Sequence, residues 1–191
     1  YGPGRLAGGG LTISQATDYP RSGDVHLVCE SRVQPLPAKL YLRIPFWSKT
    51  TRLSINGTPT VQGTVTPGTY YPVALNNQSQ TTIDIAFDFS LQSWAGEGDF
   101  AGKAAVYRGP LLLAYDARYN TLDPADLPAL DWNTVTFEPR PWEGAIPPWL
   151  LGDLRDAQGR AYTVCDFSSA GQTGNQYLSW LPMRGVPAGR R

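Results

Sequence analysis

The chain has 191 residues, and its 16 Lys and Arg are matched by 16 Asp and Glu, so the formal net charge is zero. That length allows one large domain or two small ones with a real core, and the balanced charge argues against nucleic acid or an anionic membrane as a partner. No run of about 18 apolar residues is present to span a bilayer as a helix, and two cysteines with one histidine cannot build a structural zinc site unaided.

The opening "YGPGRLAGGG" lacks the charged start and apolar core of a signal peptide, and it reads as a point where a longer polypeptide was cut. Its glycines precede a strand and lack a Gly-Lys-Ser/Thr, which excludes a phosphate loop. Two-residue alternation then dominates. "LTISQ" sets Leu11 and Ile13 on one face, and "DVHLVCE" sets Val25, Leu27 and Cys29 together. "KLYLRIPFWS" places Leu40, Leu42, Ile44 and Phe46 on every second position, which predicts one buried face. Pro45 and Trp47 are expected to mark the strand's exit, with Trp47 free to touch a neighbouring domain. "RLSIN" pairs Leu53 with Ile55 before Asn56-Gly57, a tight-turn signal. "YYPVAL" aligns Tyr71, Val73 and Leu75, and "TIDIAFDF" sets Ile83, Ile85, Phe87 and Phe89 inward with Asp84 and Asp88 outward. "AAVYRGPLLLAYD" is a more continuous apolar run, and Gly109-Pro110 in its middle predicts a bulge or kink.

Near residue 117 the composition shifts to the Pro-rich "RYNTLDPADLPALDW". Pro124 and Pro128 limit that stretch to one short helical turn. "RDAQGR" (155–160) reads as a hairpin tip, and "QYLSWLPM" closes the chain. The frequent Gly (20) and Pro (17) fit many turns between short strands. The expected fold is all-β: an antiparallel β-sandwich over 1–117 with a smaller C-terminal β subdomain over 118–191 packed on it.

In this order the pieces resemble the β-rich C-terminal part of the β-L-arabinofuranosidase family, glycoside hydrolase family 127 and its relatives. The resemblance is carried by Gln15, Thr17, Tyr19 and Pro20, by Leu42 to Trp47, by Asn56-Gly57, by Arg108 to Pro110 and by the closing "YLSWLPM". One departure stands where the family carries a Trp-x-x-Gly-Asp turn: here the chain reads "NNQSQT". The resemblance implies a bacterial protein of carbohydrate metabolism, in which an N-terminal helical barrel of the same polypeptide holds a cysteine nucleophile and a zinc. It assigns none of those catalytic residues to this chain. The expectation is therefore a non-catalytic accessory β-sandwich region of a multi-domain glycoside hydrolase, without cofactor or metal of its own, supporting the barrel. The alternative is a carbohydrate-binding module that uses exposed aromatics on a plant-type carbohydrate.

The residues themselves agree that reactive groups are scarce. Asp84 and Asp88 lie on one strand about 13 Å apart, too far for an acid–base pair. Glu97 and Asp99 in "WAGEGDFAG" read as a solvated loop. His26 has neither an orienting partner nor a nucleophile in "SGDVHL" and reads as a surface or interface residue. Cys29 and Cys165 sit on strands as small core fillers. Aromatics carry more weight. Trp47, Trp94, Trp142 and Trp149 fall at strand ends or in loops, where they either cover the open edges of the core or contact a sugar or, ahead of that, another domain. The sequons at Asn56-Gly57-Thr58 and Asn77-Gln78-Ser79 matter only in a eukaryotic secretory setting.

Overall fold

A computed structural model describes residues 2–32, 39–61, 65–75, 79–142 and 144–187. Asn77 and Gln78 of the second sequon, and the start of "NNQSQT", lie outside these. Strands account for 49% of the structure and helix for 7%, as the alternating patterns require. The chain forms two compact units, Tyr1–Phe89 and Ser90–Arg191.

The first unit contains β1 (Gly4–Gly8), β2 (Leu11–Thr17), β3 (Asp24–Ser31), β4 (Lys39–Arg43), β5 (Arg52–Ile55), β6 (Thr58–Pro59), β7 (Tyr70–Ala74) and β8 (Gln80–Ala86). Six of them make an antiparallel sheet in the order β1-β2-β3-β8-β5-β6, and β4 pairs with β7 as a separate ribbon. Register explains the core. Val25 faces Ile85 and Leu27 faces Ile83 across β3 and β8, and Leu53 of β5 faces Ile85 from the other side. Opposed residues share a face, so one apolar surface forms. It packs with Leu42 and Val73 of the ribbon and with Trp47, Leu75 and Phe87. Each such side chain contributes about 1.5–3 kcal/mol on burial.

The strand at "KLYLRIPFWS" departs from its expected face. Leu42 and Ile44 are buried, but Phe46 is 51% exposed and Trp47 only 6%. β4 ends at Arg43. Ile44 still exchanges hydrogen bonds with Gly68 and Thr69, and the Ser48 N–H then donates to the Pro45 carbonyl. That turn breaks the two-residue period and rotates Trp47 inward, where it meets Phe87 and Phe89 edge-on at 5.7 and 5.5 Å.

The second unit contains β9 (Leu91–Ala95), β10 (Lys103–Arg108), β11 (Leu111–Asp116), β12 (Leu130–Asp131), β13 (Thr136–Pro139), β14 (Leu151–Arg155), β15 (Ala161–Asp166), β16 (Tyr177–Leu178) and β17 (Trp180–Arg184). They form a single sheet along β12-β17-β10-β11-β15-β14-β13, with β9 beside β10 and β16 beside β11. The boundary expected at 117 cuts through this sheet, because β11 pairs with β15 and β10 with β17. The units divide after Phe89 instead, and the C-terminal unit is not the smaller. The run "AAVYRGPLLLAYD" is likewise two strands. Arg108 pairs with Leu111, so Gly109-Pro110 is a hairpin turn rather than a bulge, with Gly109 at φ 56°. Pro124–Asp126 is the expected short turn, a 3-10 helix capped by Asp123. The core of this unit joins Val106, Leu113, Tyr115, Leu154, Val164 and Leu181.

Candidate functional site

On the outer face of the second unit, three neighbouring strands bring two tryptophans around one alanine. Ala105 of β10 lies opposite Trp94 of β9 on one side and Trp180 of β17 on the other. Opposed residues point the same way, and the alternate positions Ala104, Val106 and Leu181 fill the core. The Ala105 methyl therefore floors a trough whose two walls rise from strands about 9–10 Å apart. The loop after β9 adds a third ring. Phe100 stacks on Trp180 at 4.8 Å and 23° between planes.

That loop is tightly held. The Gly96 N–H donates to the Lys103 carbonyl at 2.8 Å, Phe100 to Glu97 at 3.1 Å and Ala101 to Gly98 at 3.0 Å. A Cβ on Gly96 would stand 2.2 Å from the Phe100 carbonyl oxygen, so only glycine lets the loop fold back and deliver Phe100. Trp94 is 41% and Phe100 43% exposed. Glu97 and Tyr107 complete a recess of about 320 Å³. An apolar floor, aromatic walls and a few polar groups are the usual make-up of a small-molecule site.

Of the four tryptophans expected at contacts, Trp94 belongs to this trough. Trp142 stands edge-on to Tyr119 at 5.1 Å, and the Arg118 guanidinium lies over the Tyr119 ring at 4.4 Å and near the Trp142 ring at 5.8 Å. Trp149 is 56% exposed. Trp47 is core and presents almost no ring to a ligand. Trp180 was not singled out from the sequence. Its only signal is register, since Trp94 and Trp180 meet solely through β10.

Titratable groups are arranged differently. His26 does have an orienting partner: Asp84, opposite it on β8, lies 2.6 Å from its Nδ1. The Ser54 hydroxyl donates to the other Asp84 oxygen at 3.3 Å. The serine proton thus points at the carboxylate and not at the imidazole, which is the wrong connectivity for an activated nucleophile. Buried carboxylates serve the backbone. Asp166 accepts from the N–H groups of Leu150 and Ser169, and Asp116 from those of Arg118 and Gly171. Cys29 and Cys165 are free and buried. Burial, then the charges of Asp116 and Asp166, push the Cys165 thiol up to about 12, which removes it as a nucleophile at neutral pH. Among the described residues no three His, Cys, Asp or Glu side chains gather so as to hold a metal ion.

Residues 3–89 match the model of the β-L-arabinofuranosidase, GH127 middle domain. The resemblance read from the sequence therefore holds, with the segment placed in the middle of such enzymes. Three solved structures share the fold. A glycoside hydrolase aligns at 20% identity and TM-score 0.73, covering 91% of this chain and 32% of its own. A GH127 β-L-arabinofuranosidase from Geobacillus stearothermophilus T6 aligns at 19% and 0.69, covering 91% and 31%. A GH127 β-arabinofuranosidase aligns at 17% and 0.70, covering 91% and 32%. The chain thus spans about a third of the length of the structures it matches. No curated protein matches it.

Proposed function

We propose that this chain is a non-catalytic accessory β region of a multi-domain glycoside hydrolase resembling β-L-arabinofuranosidase, and that its partner is a helical-barrel catalytic domain of the same polypeptide. The observation that carries this reading is the GH127 middle-domain match over residues 3–89, joined to an alignment that takes in 91% of this chain but only 32% of a glycoside hydrolase. The site chemistry supports it. The chemistry expected of the family is a cysteine nucleophile, whereas Cys29 and Cys165 are buried here with both thiols pushed up by burial, and the buried Asp116 and Asp166 are committed to backbone N–H groups. Trp142 and Trp149, exposed on the second unit, are the aromatics we assign to contact with the barrel; Trp47 is excluded by its burial.

The test compares a GH127-type barrel alone with the same barrel joined in one polypeptide to this chain. The expected result is a higher thermal midpoint for the joined protein, part of which is lost with Trp149→Ala. Equal midpoints and equal activity with and without this chain would overturn the assignment.

A further inference from the structure

We propose that the trough between Trp94 and Trp180 is a binding site for a neutral sugar ring of an oligosaccharide. It lies in residues 94–180, outside the segment matched by the family model, and does not depend on the accessory reading.

The chemistry of the lining selects the ligand. A saccharide ring has an apolar C–H face and a rim of hydroxyls. An indole packs on the first, and a carboxylate or phenol hydrogen-bonds the second. Here Trp94 and Trp180 stand one strand either side of Ala105, and the recess of about 320 Å³ falls at the small end of ligand sites. Phe100, stacked on Trp180, adds a third ring to the lining. Glu97 is the only charged side chain among the described residues that line it. It accepts hydrogen bonds from hydroxyls and repels carboxylates and phosphates, which points to an uncharged sugar.

The site is built in advance. The hydrogen bonds of the 96–101 loop hold Phe100 in place without ligand, and Gly96 is the residue that permits it. Little conformational entropy is then lost on binding. The described lining gives Glu97 no second carboxyl to serve as nucleophile or water-activating base, which glycoside hydrolysis by paired carboxylates requires, so the trough binds without cleaving.

Titration calorimetry and tryptophan fluorescence on the whole chain test this, with neutral arabino-, xylo- and gluco-oligosaccharides and a galacturonate oligomer as probes. Saturable binding and a fluorescence change are expected for at least one neutral oligosaccharide, and none for the galacturonate. Trp94→Ala and Trp180→Ala should each weaken binding about three- to tenfold, the loss of one aromatic contact. Ala105→Leu, which fills the floor and leaves both indoles in place, should abolish it. Phe46→Ala, on the other unit, should leave it unchanged. Where Ala105→Leu does not fold, the double variant Trp94→Ala, Glu97→Gln replaces it. The proposal is overturned if no neutral oligosaccharide binds, if only the galacturonate does, or if Trp94→Ala and Trp180→Ala both leave the affinity unchanged. The first of these results would hand the trough to a protein partner.

Discussion

Between Ile44 and Ser48 the chain exchanges the two faces of a strand within one turn, and the consequence falls on two adjacent aromatics. Trp47 meets Phe87 and Phe89 in the core, while Phe46 is half in water. Trp47→Ala should therefore cost about 3–5 kcal/mol in chemical denaturation, as for other buried aromatics. Phe46→Ala should stay within about 0.5 kcal/mol. Simple alternation assigns these two the opposite way, because a proline and a turn hydrogen bond carry no hydrophobic signal. Asp156 makes a second residue-scale case. Its carboxylate accepts from the N–H groups of Asp131, Gln158 and Arg160 and from the Arg160 guanidinium. Burial opposes its charge, but these bonds, Arg160 first, outweigh burial and hold its pKa below the usual carboxylate value. A carboxylate with a depressed folded pKa stabilises above its unfolded value, about 3.9, and that contribution is lost as pH falls through the folded value. Thermal midpoints should drop below about pH 4, and Asp156→Asn should lower the neutral-pH midpoint and flatten that drop. At the same scale, neither Cys29 nor Cys165 should react with a thiol reagent at neutral pH until the protein is unfolded, since burial raises both thiols.

Among the elements, turns carry the most readable information. Asn56 and Gly57 both have positive φ, at 50° and 74°, and Ile55 pairs with Thr58 across them. This is the geometry that an Asn-Gly signal predicts for a two-residue hairpin. Gly109 also occupies positive φ, yet Gly-Pro within an apolar run reads as a kink, because nothing local says that the flanking halves pair with each other. Gly109→Ala forces a side chain into that conformation and should destabilise the hairpin by about 1 kcal/mol or more. Gly152 on β14 is constrained from outside: a Cβ there would sit 2.3 Å from the Phe137 ring and 2.6 Å from the Glu138 carbonyl. Strand faces such as those of β3 and β8 are legible because one side is buried and the period is two. The trough is not, because Trp94 and Trp180 are joined only by their common register with Ala105, and register between distant strands leaves no mark in either segment alone. For the same reason nothing in either segment alone brings His26 to Asp84, which β3 and β8 set opposite each other.

At the level of the whole molecule, the all-β class follows from alternation and turn density, but the division between units does not. The Pro-rich stretch after residue 117 resembles a linker by composition, yet β11 before it pairs with β15 after it. Composition reports local chain character, whereas a unit is defined by which strands pair. The proposed accessory role is a statement about this scale: a sandwich and a second sheet whose buried Asp116, Asp156 and Asp166 accept hydrogen bonds from backbone N–H groups. The most direct measurement is the turnover of β-L-arabinofuranosides by the purified chain alone, with a GH127 enzyme as positive control. No hydrolysis above the buffer rate is predicted, whatever the binding in the trough. Turnover that purifies with the folded chain and disappears with Glu97→Gln or Asp84→Asn would contradict the account.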